Sequence, residues 1–274
     1  MDNFYKGYKL ISGTSDEINE QMANIQPGDF CINEYLIIKN TDDGSESEMR
    51  WDGEKFVSLK LPPSKFIKGK NALQRCALDM LNNPDITICA VIGTYGSGKT
   101  LLTLNMARYA VVEKGRQAKI LGVREPVGHG KQVGFLRGDF QDKTDMFFLP
   151  LAQQLDGGTF ELESLRQRGV LESNIPFYLK GTTYHDTIII CDESEDLNEE
   201  QLRLIGTRVG ENSRIFLNGD YRQSVYAKNV NNPLIKMCNT LKGNRLFGCI
   251  YLESDVRSET SQLFANLFYE EKKE

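Results

Sequence analysis

Eight consecutive residues, Gly93-Thr94-Tyr95-Gly96-Ser97-Gly98-Lys99-Thr100, fill every fixed position of the pattern GxxxxGK[ST]. That order of residues suits phosphate chemistry. Glycines let backbone N–H groups turn inward around phosphate oxygens, the lysine reaches a β/γ-phosphate, and the hydroxyl can ligand Mg²⁺. Residues 86–92 before the loop are a short, largely apolar run of the kind covered on both faces in a parallel sheet. Residues 101–114 after it have helical spacing at Leu101, Leu104, Ala107 and Val111, with Gly115 as a stop. A helix starting at the loop adds its positive dipole end to the anion site. The candidate nucleotide-binding set is thus Gly93, Thr94, Tyr95, Gly96, Ser97, Gly98, Lys99, Thr100 and Leu101. A glycine-rich turn that merely contains Lys-Thr is the competing reading, and the flanking strand and helix argue against it.

A second group of residues supplies carboxylates. Thr187-Ile188-Ile189-Ile190-Cys191-Asp192-Glu193 is a run of strand formers ending in two acids. Standing alone it would be an ordinary strand entering an acidic turn, with Glu195 and Asp196 beyond. Beside a phosphate loop it reads as a metal-holding aspartate, Asp192, followed by Glu193 placed to polarise an attacking water. A third strand, residues 214–218, ends at Gly219-Asp220-Tyr221-Arg222-Gln223, and polar residues in that position face the ligand crevice of an open α/β sheet. Asp220 and Gln223 are candidates to sense a γ-phosphate. The helix predicted over 198–209 carries Arg203 and Arg208. Gln74, on the amphipathic helix predicted over 70–82, could read an adenine edge or merely cap solvent, and spacing favours the second.

These residues need a scaffold, and its pattern is legible. Strands are predicted at 118–123 and 248–252 besides those named, giving an α/β fold with a parallel sheet flanked by helices. Residues 127–141 hold too many glycines for a helix or central strand, and His129 there has no metal-ligand partner at useful spacing. Helical pattern resumes over 142–155 and 159–170. The first 63 residues differ in kind. Thr14-Ser15-Asp16-Glu17 is a capping box, predicting a helix over 15–24. Residues 30–39 read as a strand, residues 41–48 as an acidic loop, and residues 49–57 as a hairpin turning at Asp52-Gly53. This small β-rich module should end at Leu61-Pro62-Pro63, with a second domain over 64–274. Trp51 is expected to be a core or covering residue.

Composition limits the options further. The chain has 274 residues, a formal net charge of −5 and 40% hydrophobic content. That acidity argues against a globally cationic nucleic-acid coat but leaves room for a local basic stripe. No run of about 18 apolar residues occurs, and the N-terminus lacks the apolar core of a signal peptide, so a soluble cytoplasmic protein without a membrane partner is expected. Six scattered cysteines with no CxxC pair read as buried free thiols in a reducing compartment.

Together GTYGSGKT, GFLRGD (134–139), KGTTYHDTIIICDES (180–194), TRVG (207–210), GDYRQ (219–223) and SDVRSE (254–259) resemble the PhoH family of ATPases, over about residues 66–270. Members are similar to the first, RecA-like motor domain of superfamily 1 helicases. The resemblance implies a P-loop NTPase fold, ATP and Mg²⁺, RNA or single-stranded nucleic acid as a partner, and a ring-shaped homo-oligomer, hexameric in expectation. It also assigns roles. Gln74 would read adenine, Lys99 and Thr100 would bind phosphate and metal, and Asp192 and Glu193 would be metal ligand and base. Gln223 would sense the γ-phosphate, and Arg208 and Arg257 would contact nucleotide, in cis or from a neighbour. The chain departs from the pattern at Thr182, Glu195 and Ser258, where the family usually has Arg, Gln and His. Those changes bear on RNA coupling and hydrolysis rate rather than nucleotide binding. Residues 1–60 match no module known from the family, and such compact versions are frequent in phages, which points to a viral source.

Three functions fit in differing degree. An ATP hydrolase coupled to RNA or single-stranded nucleic acid comes first, because a Glu directly after the metal Asp is what hydrolysis requires. An assembly module locked by ATP, with little turnover, comes second. A nucleotide or small-molecule kinase comes last, since no arginine-rich lid is evident.

Overall fold

The computed structural model describes residues 4–94, 96–125, 152, 155, 157–224 and 229–253. Predicted features at 127–141, His129, most of the helix predicted over 142–155, and the terminal segment with Arg257 and Ser258 lie outside the described residues, as does Tyr95.

Six strands form an all-parallel sheet: β5 (Ile88–Gly93), β6 (Lys119–Val123), β7 (Leu171–Asn174), β8 (Thr187–Cys191), β9 (Arg214–Gly219) and β10 (Phe247–Leu252). Their spatial order is β10-β5-β9-β8-β6-β7, so the phosphate-loop strand β5 lies beside β9, which separates it from β8. The four central strands are apolar almost throughout because both faces are covered, as a parallel sheet demands. On one face pack α2 (Ala72–Asn82), α3 (Lys99–Arg108) and α4 (Gly158–Gln167); on the other, α5 (Glu199–Gly206) and α6 (Pro233–Leu241). The α3 helix runs on through a widened π turn at Tyr109–Glu113, and Gly115, at φ +59°, takes the left-handed stop expected of it.

Within this parallel-sheet layer two elements escaped the sequence reading, as did strand Tyr8–Gly13 in the N-terminal segment. The edge strand β7 is only four residues long and its LESN sequence alternates without strong strand formers, so periodicity has little to detect. The other is α6, which starts at a proline after an asparagine cap whose side chain accepts from the Leu234 N–H.

The N-terminal sheet comprises β1 (Tyr8–Gly13), β2 (Tyr35–Asn40), β3 (Glu46–Trp51) and β4 (Phe56–Ser58), with α1 (Ser15–Ala23) started by the predicted capping box at Thr14. The acidic loop is shorter than expected, because Glu46–Glu48 pair with β2 as strand. The predicted strand over 30–39 begins only at Tyr35. Alternation along β2 explains why this sheet has two partners. Leu36 joins Ile18 of α1, Trp51 and Phe30 in a small core, whereas Tyr35 and Ile37 join the large core against α2. Trp51 is a core residue, edge-to-face with Phe56 at 5.0 Å.

Polar contacts reinforce that packing. Asp79 of α2, 1% exposed, accepts from Tyr35 Oη (2.8 Å), Arg50 Nε (3.0 Å) and the Lys60 N–H (2.6 Å). Asn33 donates to the carbonyls of Arg245 and Phe247, and the Tyr251 N–H donates to Lys6 O, so residues 4–7 lie along β10, the outer strand of the parallel sheet. An edge strand's unpaired backbone is covered in this way. Five cysteines are buried and free as expected, and Cys31 is half-buried.

Candidate nucleotide site

The loop after β5 turns because Gly96 and Gly98 take φ +70° and +90°, conformations that cost a side chain strain. A Cβ on Gly98 would in addition meet Gln74 Nε2 at 3.0 Å. Gln74 is buried rather than a solvent cap, so the reading from spacing is corrected. Its amide donates to Ser97 O at 2.9 Å and accepts from the Lys70 N–H at 2.8 Å, tying the start of α2 to the loop. Ser97 Oγ in turn donates to Thr94 O (2.8 Å).

Lys99 folds back over its own loop, donating to the carbonyls of Gly93 (2.8 Å) and Thr94 (2.9 Å). Burial lowers the pKa of its ammonium, and Asp220, Glu195, Glu193 and Asp192 act in the opposite sense. Four carboxylates therefore converge electrostatically on the lysine, and they come from the carboxyl ends of β8 and β9. Thr100 Oγ1 donates to Asp192 Oδ1 at 2.9 Å. Asn218, at the end of β9, donates to Thr103 Oγ1 (2.8 Å) and more weakly to Asp192 Oδ1 (3.4 Å). Burial, and then neighbouring Glu193, push the Asp192 carboxyl up, while Arg124, Thr100 and Asn218 pull it back.

Glu193 follows in the left-handed region (φ +51°), which turns the chain sharply out of β8. Its Oε1 lies 3.3 Å from Arg124 Nη2, and Asp192 Oδ2 lies 3.6 Å from Arg124 Nη1. Arg124 was missed as a site residue, although its place just past the end of β6 is the position that flagged Asp220 and Gln223. Asn218 lies within the carboxyl end of β9, where the apolar strand pattern marks no site. Gln223 donates to Asp220 Oδ2 at 2.5 Å, placing both on the turn beside β5. Glu195 is 1% exposed, and burial, then Glu193, hold its carboxyl well above the usual range. Its Oε2 has no hydrogen-bond partner among the described residues.

Arg208 is not brought to the loop. The Tyr184 N–H donates to Arg208 O, and Tyr184 bridges Val209, which puts this segment before the amino end of β8. Five residues of strand, about 16 Å, separate that end from Asp192. Arg208 Nε is buried there without a partner among the described residues.

The residues fit a magnesium ion. Two ligands at neighbouring corners of an octahedron with bonds of about 2.0–2.1 Å stand about 2.9 Å apart, the separation of Thr100 Oγ1 and Asp192 Oδ1. Among the described residues no cluster of three or more His, Cys, Asp or Glu could hold a metal by itself. Mg²⁺ held by few protein ligands plus substrate phosphates is consistent with that.

A parallel sheet carrying strand, phosphate loop and helix, with an Asp-Glu pair closing on the loop from β8, defines a P-loop NTPase. Residues 66–269 match the family described as PhoH-like protein, and the chain belongs to that family. It is similar to Protein PhoH2 of Bacillus subtilis (strain 168), 29% identical over 286 residues, covering 97% of this chain and 65% of that protein. It is also similar to Protein PhoH2 of Thermobispora bispora, 31% identical over 73% of this chain and 47% of that protein. A PhoH-like protein of Bacillus subtilis is 34% identical over 56% of this chain and 48% of its own length. The chain thus spans between about half and two thirds of these relatives. Family membership supports nucleotide binding and, at a coarse level, hydrolase chemistry. Among the described residues no helix is long and apolar enough to cross a membrane.

Proposed function

We propose that this protein binds and hydrolyses ATP with Mg²⁺, and that turnover is coupled to RNA or another single-stranded nucleic acid in a ring-shaped homo-oligomer. The observation that carries the reading is the pairing of Thr100 with Asp192 beneath the loop, with Glu193 next in sequence. Mg²⁺, held by Thr100 Oγ1 and Asp192, would neutralise charge on the transferring phosphoryl group. Lys99 gives up its loop carbonyls to bind phosphate oxygens, and the backbone N–H groups of residues 96–100 surround them. Glu193 orients the attacking water and accepts its proton. Asp220 and Gln223 report the γ-phosphate, and Gln74 keeps the loop in shape beside the adenine. Arg208, far from the loop of its own chain, acts on a neighbour's nucleotide.

Steady-state phosphate release with ATP and Mg²⁺, with and without single-stranded RNA, tests the proposal, with Glu193→Gln as control. Release that RNA accelerates and the variant loses is the expected result. A second reading, ATP as a lock on an assembly with little turnover, is favoured by the grip of Arg124 on Glu193. Tight ATP binding with no phosphate release in either condition would select it.

A further inference from the structure

Glu195 follows the proposed base by two residues and is 1% exposed, yet hydrolysis as proposed above gives it no task. Its main chain is fixed from several sides. The Glu195 carbonyl accepts from Ser224 Oγ (2.7 Å) and from Asn232 Nδ2 (3.0 Å), the cap of α6. Ser194 Oγ donates to Cys191 O (2.8 Å) and the Asp196 N–H to Glu193 O (3.1 Å), which closes the turn out of β8. The side chain then runs against Gly219 at the end of β9. A Cβ there would meet Leu234 Cδ2 and stand 3.0 Å from Glu195 Oε2, so the glycine leaves the slot that the carboxyl fills.

None of the described residues offers Oε2 an N–H or O–H, and the side-chain hydrogen bond of this carboxyl is to Glu193. Two ionised carboxylates only accept, so a bond between them requires that one carry a proton. Burial selects Glu195. The Glu193 side chain is 41% exposed and faces the Arg124 guanidinium, which favours its charged form, whereas Glu195 is sealed from water. We infer that Glu195 is the positioning residue of the hydrolytic base: its buried carboxyl donates to the Glu193 carboxylate and, with Arg124, fixes the direction in which that carboxylate meets water. The inference rests on Glu193 being the base, as proposed above. The Asp220 N–H also bonds the Glu195 carboxyl, so the same side chain joins the base to the γ-phosphate turn.

The test is phosphate release by the full chain with ATP and Mg²⁺. Glu195→Met keeps the length of the side chain and removes the donor. Its kcat should fall at least about tenfold, while KM for ATP and the affinity for a fluorescent ATP analogue stay at wild-type values, because Lys99 and the loop are untouched. Glu195→Gln restores a donor of the same reach and should recover kcat to within about threefold of wild type. Added to Glu193→Gln, Glu195→Met should cost nothing further, since residues that act as a unit are not additive; a merely structural role multiplies the two losses. A pH profile decides the matter even where the Met variant does not fold. Around the carboxyl stand Asp192 and Glu193 past β8, Asp220 past β9, Lys99 of α3 and Asp196 of its own turn. The α6 helix presents neutral Asn232, its Lys236 being paired with Glu199 at the surface. Ionisation of Glu195 at alkaline pH removes the donor and sets a second negative charge beside Glu193, so wild-type kcat should fall as pH rises where that of Glu195→Gln holds. Lys99 titrates in both proteins, and the difference between the profiles isolates Glu195. Wild-type kcat in Glu195→Met, equal losses in the Met and Gln variants, multiplied losses on the Glu193→Gln background, or superimposable pH profiles would overturn the positioning role and leave hydrolysis in place. A wild-type protein that releases no phosphate, or Glu193→Gln at full rate, would overturn the base and this inference with it.

Discussion

Glu193 occupies a backbone conformation that ordinary residues rarely hold, costing on the order of 1–3 kcal/mol, and it does so one residue after a buried aspartate that hydrogen-bonds Thr100. Strain of this kind persists where surrounding structure over-determines it. Here β8 pairs on both sides up to Cys191, and Arg124 holds the carboxylate that follows. Replacing Glu193 by Gln preserves shape and removes the base, so phosphate release should fall by about 100-fold or more while a fluorescent ATP analogue still binds. Loss of binding would mean that the side chain shapes the pocket instead. Gln74 makes a contrasting case. Gln74→Ala leaves Ser97 O and the Lys70 N–H without their buried partner, a loss of about 1–3 kcal/mol, and loosens the phosphate loop. Thermal denaturation should show the lower stability, and nucleotide titration a weaker affinity. If only the melting temperature moves, Gln74 is structural alone.

At the scale of elements, strand and helix patterns gave the order and type of most of the parallel-sheet part, because buried parallel strands and amphipathic helices carry strong apolar signals. Legibility failed where tertiary contacts, not local pattern, decide. Nothing in the sequence says that Gln74 turns inward, that Arg124 reaches two carboxylates, or that Arg208 ends at the opposite edge of the sheet from Lys99. Nor does it say that the β-rich segment rests on α2. That contact centres on Asp79, whose three donors come from β2, β3 and the segment after β4. Asp79→Ala leaves the nearly buried Arg50 guanidinium with its bond to Asn33 Oδ1 but without a counter-charge, which typically costs about 3–5 kcal/mol. The expected result is a large fall in melting temperature and faster protease cleavage near residues 60–65; unchanged cleavage would show that the two sheets are held by apolar contact alone. A pH effect belongs to the N-terminal segment, at the residue before β2. Burial raises the Glu34 carboxyl above its ordinary value of about 4.5. A folded-state pKa raised above the unfolded one stabilises the protein below the unfolded pKa and loses that contribution as pH climbs through the folded value. Glu34→Gln should therefore raise the melting temperature at pH 8 and do little at pH 4, and an equal change at both pH values would assign the effect to packing.

For the whole molecule the decisive question is whether one chain contains a complete site. The loop, Asp192, Glu193, Asp220 and Gln223 gather at the carboxyl edge of the sheet, whereas Arg208 lies at the amino edge, behind about 16 Å of strand. A head-to-tail ring would bring one edge of each subunit to the opposite edge of the next, since heterologous contacts close by rotation. Arg208, with a buried Nε lacking a partner among the described residues, would then complete a neighbour's site. Arg208→Ala should lose turnover while keeping its own ATP, because the residues that bind nucleotide are untouched. Mixing supplies the sharper test. Arg208→Ala subunits keep the base and lack the arginine, Glu193→Gln subunits the reverse, so neither works alone. In randomly mixed rings a site is whole when an Arg208→Ala subunit faces a Glu193→Gln neighbour, which happens at about a quarter of sites in an equal mixture. Recovery of phosphate release toward that fraction requires sites shared between chains. If the two inactive variants stay inactive when denatured together and refolded, while wild-type subunits treated in the same way regain activity, Arg208 does not act across an interface, and its place at the amino edge answers to folding rather than to catalysis.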